Sequence, residues 1–284
     1  MKMKPHSKTS LSGLAGVVLL AFSANLAARA DFSYTVMRLS RGASNTNSVR
    51  AKTYLKGKKM KVDYGKAATI MDFEAGTFTE INHKQRLYRV TSLRDVGAGA
   101  KSGSNLEVDV KKTGHSRKIH GYNAAEVIIT LTIDVPDAGR SGAKAQMGAH
   151  IWLSSDVPGA QELQAFYARN AGQFPWAPPE ATPTQKLMAV IQKKTAEMQG
   201  VPMLETIEMK NAPAPLETER TVPDRAPNAV GAGRFGGLST LGTLEHLDAT
   251  SKETEERVET SDFSTAPIPD SLFAIPAGYH RSGQ

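Results

Sequence analysis

From Phe32 onward the chain alternates apolar and polar residues in short runs. Phe32, Tyr34 and Val36 alternate with Ser33 and Thr35, and Met60, Val62 and Tyr64 alternate with Lys59, Lys61 and Asp63. A period of two is the mark of a strand with one buried face. Residues 49–55, 67–73, 77–82 and 86–91 continue the series, separated by turn-forming residues around Gly57, Gly76 and His83. This spacing predicts a meander of short antiparallel strands. The longest run places Ala125, Val127, Ile129, Leu131, Ile133 and Val135 on one face, and a strand of that length predicts a strongly curved sheet. Residues 149–153 and 203–210 predict further strands.

The period changes after Asp156 and Pro158. Leu163, Phe166, Tyr167 and Asn170 recur at i, i+3, i+4 and i+7, which predicts a helix over residues 159–171, ended by Gly172. A second helix is predicted over 184–199, capped by Thr184 and stopped by Gly200 and Pro202, with Leu187, Val190, Ile191 and Met198 inside it. The join at 174–183 holds four prolines and is irregular. Residues 211–237 are rich in proline, glycine and alanine and poor in the apolar residues that would offset ordering entropy, so a mobile loop is expected there. Residues 238–247 and 253–260 read equally as strand or helix. The pattern predicts a mainly β, α+β fold: a curved antiparallel half-barrel sheet covered by a two-helix flap at 159–199, forming a single domain over 31–284.

Several meander strands are apolar on both sides. Met71 and Phe73 oppose Ile70, Phe78 opposes Ile81, and Leu87 opposes Tyr88 and Val90. A sheet with two apolar faces needs a layer on each. Either the helices cover one face while the sheet curls round the other, or two sheets pack as a sandwich. The first arrangement makes an apolar groove, which is either filled by its own side chains or open to an apolar ligand. Met60, Tyr64, Phe73, Phe78, Leu87, Ile129, Phe166 and Tyr167 are the candidate ligand-binding residues.

Composition narrows the chemistry. The 284 residues include no cysteine, which excludes disulfide scaffolds, thiolate metal sites and cysteine nucleophiles. Residues 1–30 carry Lys2, Lys4 and Lys8, then an apolar run at 11–24, then Ala28-Arg29-Ala30. That order predicts a secretory signal peptide cleaved after Ala30 and a periplasmic or secreted protein; the apolar run is shorter than the roughly 20 residues a spanning helix needs. The first 30 residues take four of the 35 Lys and Arg and none of the 28 Asp and Glu, leaving 31 basic against 28 acidic groups, a net +3. Nucleic acid is not an expected partner at that charge. The cluster Lys56, Lys58, Lys59 and Lys61 reads as a solvated turn or as a contact for anionic headgroups.

Nucleophile elbows, zincin helices, phosphate loops and EF-hand loops are missing from the sequence. The histidines His83, His115, His120, His150, His246 and His280 form no i, i+4 pair, so no metal and no cofactor is expected. Asp72, Glu74 and Glu80 are the carboxylates that a meander could bring together for glycoside hydrolysis, and Ser239 or Ser271 with His246 is the one conceivable nucleophilic set. Solvated hairpin charges account for the former, and no catalytic residue is assigned.

Five blocks carry a family resemblance: residues 54–90 (YLKGKKMKVDYGKAATIMDFEAGTFTEINHKQRLYRV), 113–127 (TGHSRKIHGYNAAEV), 149–171 (AHIWLSSDVPGAQELQAFYARNA), 200–206 (GVPMLET) and 271–279 (SLFAIPAGY). They resemble a bacterial envelope family of unknown function, the DUF family numbered 4412, which is similar to the LolA/LolB lipoprotein-carrier superfamily. The resemblance implies an open β half-barrel closed by helices around an apolar cavity, periplasmic location, and a lipid or lipoprotein acyl chain as partner. The superfamily has no catalytic residues to carry over. It also contains envelope regulators, so a sensor scaffold contacting an envelope membrane protein is the second expectation, and a hydrolase the third. Oligomeric state is left open.

Overall fold

The computed structural model describes residues 31–41, 46–97, 106–134, 144–176, 183–210 and 254–282. The expected signal peptide at 1–30, the loop at 211–237 and the ambiguous segment 238–247 lie outside the described residues. Among the described residues no helix is long and apolar enough to cross a membrane.

The fold is mainly β, an open curved sheet. The strands are β1 (Phe32–Arg41), β2 (Thr46–Lys56), β3 (Lys59–Asp63), β4 (Ala67–Asp72), β5 (Thr77–Asn82), β6 (Leu87–Ser92), β7 (Leu106–Ile119), β8 (Tyr122–Asp134), β9 (Lys144–Ser154), β10 (Val201–Lys210), β11 (Thr254–Ser264) and β12 (His280–Arg281). They form one sheet in the order β12-β6-β5-β4-β3-β2-β1-β11-β10-β9-β8-β7. Two consecutive antiparallel runs, β1 to β6 and β7 to β10, are joined edge to edge by β11, which pairs with β1 on one side and β10 on the other. Of residues 253–260, readable as strand or helix, 254–260 are thus in a strand, and among the described residues the strands make one sheet rather than a sandwich of two.

Among the described residues three α-helices accompany the sheet: α1 (Leu93–Gly97), α2 (Ala160–Asn170) and α3 (Pro183–Ala196). The apolar stripe of α2 buries Leu163 and Phe166 in a core with Phe32, Met60, Met71, Phe73 and Phe78. Phe73 begins the turn after β4 rather than ending the strand, and there its ring meets Phe166 at 5.7 Å and Phe174 at 4.7 Å between centroids. Helix α3 starts at Pro183, one residue before the expected Thr184, because the first turn does not need the missing proline N–H. Its Met188 and Ile191 cover a second core of Val127, Ile129, Leu131, Met147, Ala149 and Ile151. Gly159, just before α2, has φ +87° and lies so close to Phe32 that a Cβ would enter the ring. Glycine is required there by both backbone and space.

The opposite, outer face of β4 to β6 is covered by the C-terminal segment. Ala68, Ile70 and Ile81 are buried there beneath Tyr88, Phe273 and Tyr279. The segment is held by Ile268 N–H donating to Asp31 Oδ2 at 2.6 Å, by a Lys56–Asp270 ion pair at 2.9 Å and by Tyr279 Oη to His83 Nδ1 at 2.8 Å. It ends as β12, parallel to β6, with His280 N–H donating to the Arg86 carbonyl at 2.9 Å. The two apolar faces of the meander therefore have two different covers, helices inside and the chain's own terminus outside.

Strand β7 was not expected, because only Leu106, Val108 and Val110 alternate before the polar stretch at 111–118. It is an edge strand, mostly exposed, so neither face imposes an apolar pattern. It carries Lys111, Lys112 and Lys118, side chains common on exposed edge strands. The two-residue turn His120-Gly121, with both φ values positive, joins it to β8.

Candidate functional site

Between the inner face and the two longer helices lies a cavity of about 110 Å³. Strands β1, β2, β10 and β11 form its floor, α2 contributes Leu163, Gln164 and Tyr167, and α3 contributes Gln192, Thr195 and Ala196. Register explains why these side chains meet. Tyr34 pairs with Thr53 and Thr53 with Val62, so the three form one row across β1, β2 and β3. Arg38 and Glu205 are both paired with Val258, forming a second row across β1, β11 and β10. Glu256 stands two residues from Val258 on the same face.

This second row carries buried charge. Arg38 Nε is 2.8 Å from Glu256 Oε1, with both side chains almost wholly buried. The approach is off the hydrogen-bond line, so Arg38 Nε and Nη1 and both Glu256 oxygens lack hydrogen bonds among the described residues. Burial pushes the Glu256 carboxyl up, opposed by Arg38. Glu205 lines the cavity, and burial, with repulsion from Glu256, pushes it up to about 7 against the pull of Arg38. Tyr34, Tyr64 and Tyr167 stand on the same wall, and burial raises all three hydroxyls, which stay neutral. Tyr34 is within hydrogen-bonding reach of Tyr167 and Thr53, whereas Tyr64 Oη and Gln192 Oε1 are buried without a hydrogen-bond partner among the described residues.

Of the eight residues expected to line a groove, Tyr64 and Tyr167 are on this wall. Met60, Phe73, Phe78 and Phe166 are buried in the adjoining core, and Ile129 is buried in the second core under α3. Leu87 is half-buried at the end of β6, beside β12. Arg38, Glu205, Glu256 and Gln192 were not expected. The alternation Phe32, Tyr34, Val36 extended by one step would have placed Arg38 on the inner face; nothing comparable marks Gln192.

Two of the carboxylates considered for hydrolysis, Asp72 and Glu80, are taken up by other partners. Asp72 accepts the backbone N–H groups of Glu74 and Ala75 at 3.0 and 2.9 Å, while Glu80 is gripped by Arg89 Nε and Nη2 at 2.8 and 2.6 Å. The histidines do meet an acid through tertiary pairing: His115 Nδ1 and His150 Nδ1 lie 3.0 and 3.1 Å from the two oxygens of Glu126. Thr113 Oγ1 donates to the same carboxylate at 2.9 Å. The His150 bond, with those of Thr113 and His115, holds Glu126 below its ordinary value against a smaller desolvation. Among the described residues no group of three or more His, Asp or Glu is arranged to hold a metal.

The family model for a domain of unknown function, DUF4412, matches residues 35–214. The chain belongs to that family. Curated proteins give no match. Similar solved structures include PNGF-II in two crystal forms, at 10% identity and TM-scores of 0.34 and 0.32. They cover 89% and 88% of this chain but 31% and 30% of PNGF-II, so the chain spans less than a third of that protein's length. A domain from Vibrio parahaemolyticus named for outer-membrane lipoprotein sorting matches at 8% identity and a TM-score of 0.29, covering 86% of this chain and 89% of its own. These likenesses are too distant to carry function across.

Proposed function

We propose that this DUF4412 chain is a non-catalytic periplasmic protein that binds a lipid or acyl-type ligand between the inner face of its sheet and a two-helix flap formed by α2 and α3. The observation that carries this reading is the cavity itself, bounded by β1, β2, β10 and β11 below and the two helices above, with Val36, Val62, Leu163, Val201 and Val258 among its walls. At about 110 Å³ it is smaller than the roughly 300–1,000 Å³ of ordinary ligand pockets. A long acyl chain therefore enters only as α2 and α3 part from the sheet, and binding is coupled to that opening. Location in the periplasm rests on the signal-peptide pattern at 1–30 and on the family resemblance. Titration with fluorescent anthroyloxy-stearate tests the reading: saturable binding, abolished by Leu163→Asp in a variant that keeps its circular dichroism, is the expected result, and no saturable binding to the folded chain contradicts it.

A second reading, a regulatory or sensor scaffold, is favoured by β7, a 14-residue edge strand with one unpaired side on which a partner strand could add. A pull-down of an envelope membrane protein that is lost on substituting Val110 by proline would favour it.

A further inference from the structure

The polar atoms on the cavity wall do not suit a purely apolar occupant. Tyr64 Oη and Gln192 Oε1 are buried there without a hydrogen bond among the described residues, and a buried polar group left unpaired costs about 1–3 kcal/mol. Tyr64 directly follows β3 and Gln192 lies on α3, and both residues line one cavity with Glu205. Charge points the same way. Arg38 and Glu256 neutralise each other as a contact pair, so Glu205 is a second carboxylate beside a single guanidinium. When Glu205 is ionised, the cluster carries one uncompensated negative charge in a desolvated site. The walls beyond it are apolar, with Val36, Ala51, Val62 and Leu163 among them, around a volume of about 110 Å³.

We propose that this cavity is a site for a primary ammonium group on a short apolar stem, its charge matched by Glu205 and its N–H donors directed to Glu205, Gln192 Oε1 and Tyr64 Oη. A primary ammonium has three donors and no acceptor, which complements this set of acceptors. A quaternary ammonium satisfies none of them by hydrogen bonding, and a carboxylate or phosphate would add to the excess negative charge. The proposal rests on the carrier reading for the place of the ligand and adds its head chemistry. A free alkylamine and an ethanolamine lipid headgroup offer the same group.

Ionisation of Glu205 links the site to pH. The charged and titratable groups that bear on it are Glu256 from β11 and Arg38 from β1, with Tyr34 from β1 and Tyr167 from α2 adjoining; Gln192 and Thr195, which α3 presents, are neutral. Burial holds Glu205 at about 7, so an ammonium ligand, charged throughout the range, competes with a proton for the carboxylate.

The test is calorimetric titration of the full chain with n-butylammonium, with butanol and tetramethylammonium in parallel. Saturable butylammonium binding above pH 7 is expected, weakening by about tenfold for each pH unit below the Glu205 value. Binding should fall by about tenfold or more in Glu205→Gln and again in Gln192→Leu, which is on a separate element and guards against a local folding defect. Equal binding of butanol, stronger binding of tetramethylammonium, or an unchanged Glu205→Gln overturns the proposal, as does an absence of butylammonium binding. Competition by short-chain phosphatidylethanolamine but not phosphatidylglycerol assigns the ammonium to a lipid head; butylammonium binding that neither lipid displaces assigns it to a free amine. Anthroyloxy-stearate separates the two readings: if it binds wild type and Glu205→Gln alike while butylammonium binds neither, the ammonium site fails and the carrier reading stands.

Discussion

Arg38 Nε lies 2.8 Å from Glu256 Oε1 across the β1–β11 pairing, where both side chains are buried and Arg38 Nε and Nη1 and both Glu256 oxygens lack a hydrogen bond among the described residues. Such a pair is held by charge alone at a seam between the two halves of the sheet. Removing one partner leaves the other charge buried and uncompensated, at a cost of about 3–5 kcal/mol, whereas replacing both by apolar residues is often neutral. Arg38→Met is therefore expected to lower unfolding stability by that amount, and Arg38→Met with Glu256→Leu to restore most of it. Denaturant unfolding of the two single variants and the double variant measures the coupling; additive losses would contradict it.

Glu205 makes the stability pH-dependent with a definite sign. Its folded value, about 7, lies above the ordinary 4.5, so the folded state holds the proton longer than the unfolded chain. The contribution is fully present below about 4.5 and is lost as pH rises through about 7, on the order of 3 kcal/mol. Glu80 and Glu256 are shifted in the same direction and Asp72 and Glu126 in the opposite one. The clean readout is the difference between wild type and Glu205→Gln, which should grow in favour of the variant between those values.

Phe166 and Leu87 are expected to behave differently although both were candidates for one groove. Phe166 is 2% exposed and touches Phe73, Tyr167 and Phe174, so Phe166→Ala should cost about 3–5 kcal/mol. Leu87 is half-buried and outside the buried clusters, so Leu87→Ala should cost about 1 kcal/mol or less. Thermal unfolding of the two variants decides it.

The strands and the α2 stripe were legible because one buried face imposes a period on the residues that form it. The alternation from Phe32 and the spacing Leu163, Phe166, Tyr167 and Asn170 follow directly. What was not legible has physical reasons. Strand β7 buries little of either face and carries no period. The outer cover of Ile70 and Ile81 comes from residues more than 180 positions away in sequence, Phe273 and Tyr279, and local pattern holds no such information. Polar residues turned inward, Arg38 and Glu256, look like surface residues until pairing places Arg38 in one row with Glu205 and Glu256 two residues along the same face. Of the aromatic candidates only Tyr64 and Tyr167 line the cavity, since the others pack against each other.

The C-terminal cover gives a further expectation. Tyr279 bonds His83 and helps bury Ala68, Ile70 and Ile81. Deleting residues 268–284 should expose that apolar face and promote association, read as dye binding and a larger species in size-exclusion chromatography, while Tyr279→Phe, which keeps the ring, should lose only about 1 kcal/mol.

The central claim is that an apolar ligand lies between the inner face and α2 and α3. Native mass spectrometry of the chain purified without detergent, followed by solvent extraction, tests it most directly. A stoichiometric acyl-containing adduct, absent from a folded Tyr167→Asp variant, is the predicted result; the bare polypeptide mass from a folded wild-type protein, with nothing acyl in the extract, would contradict it.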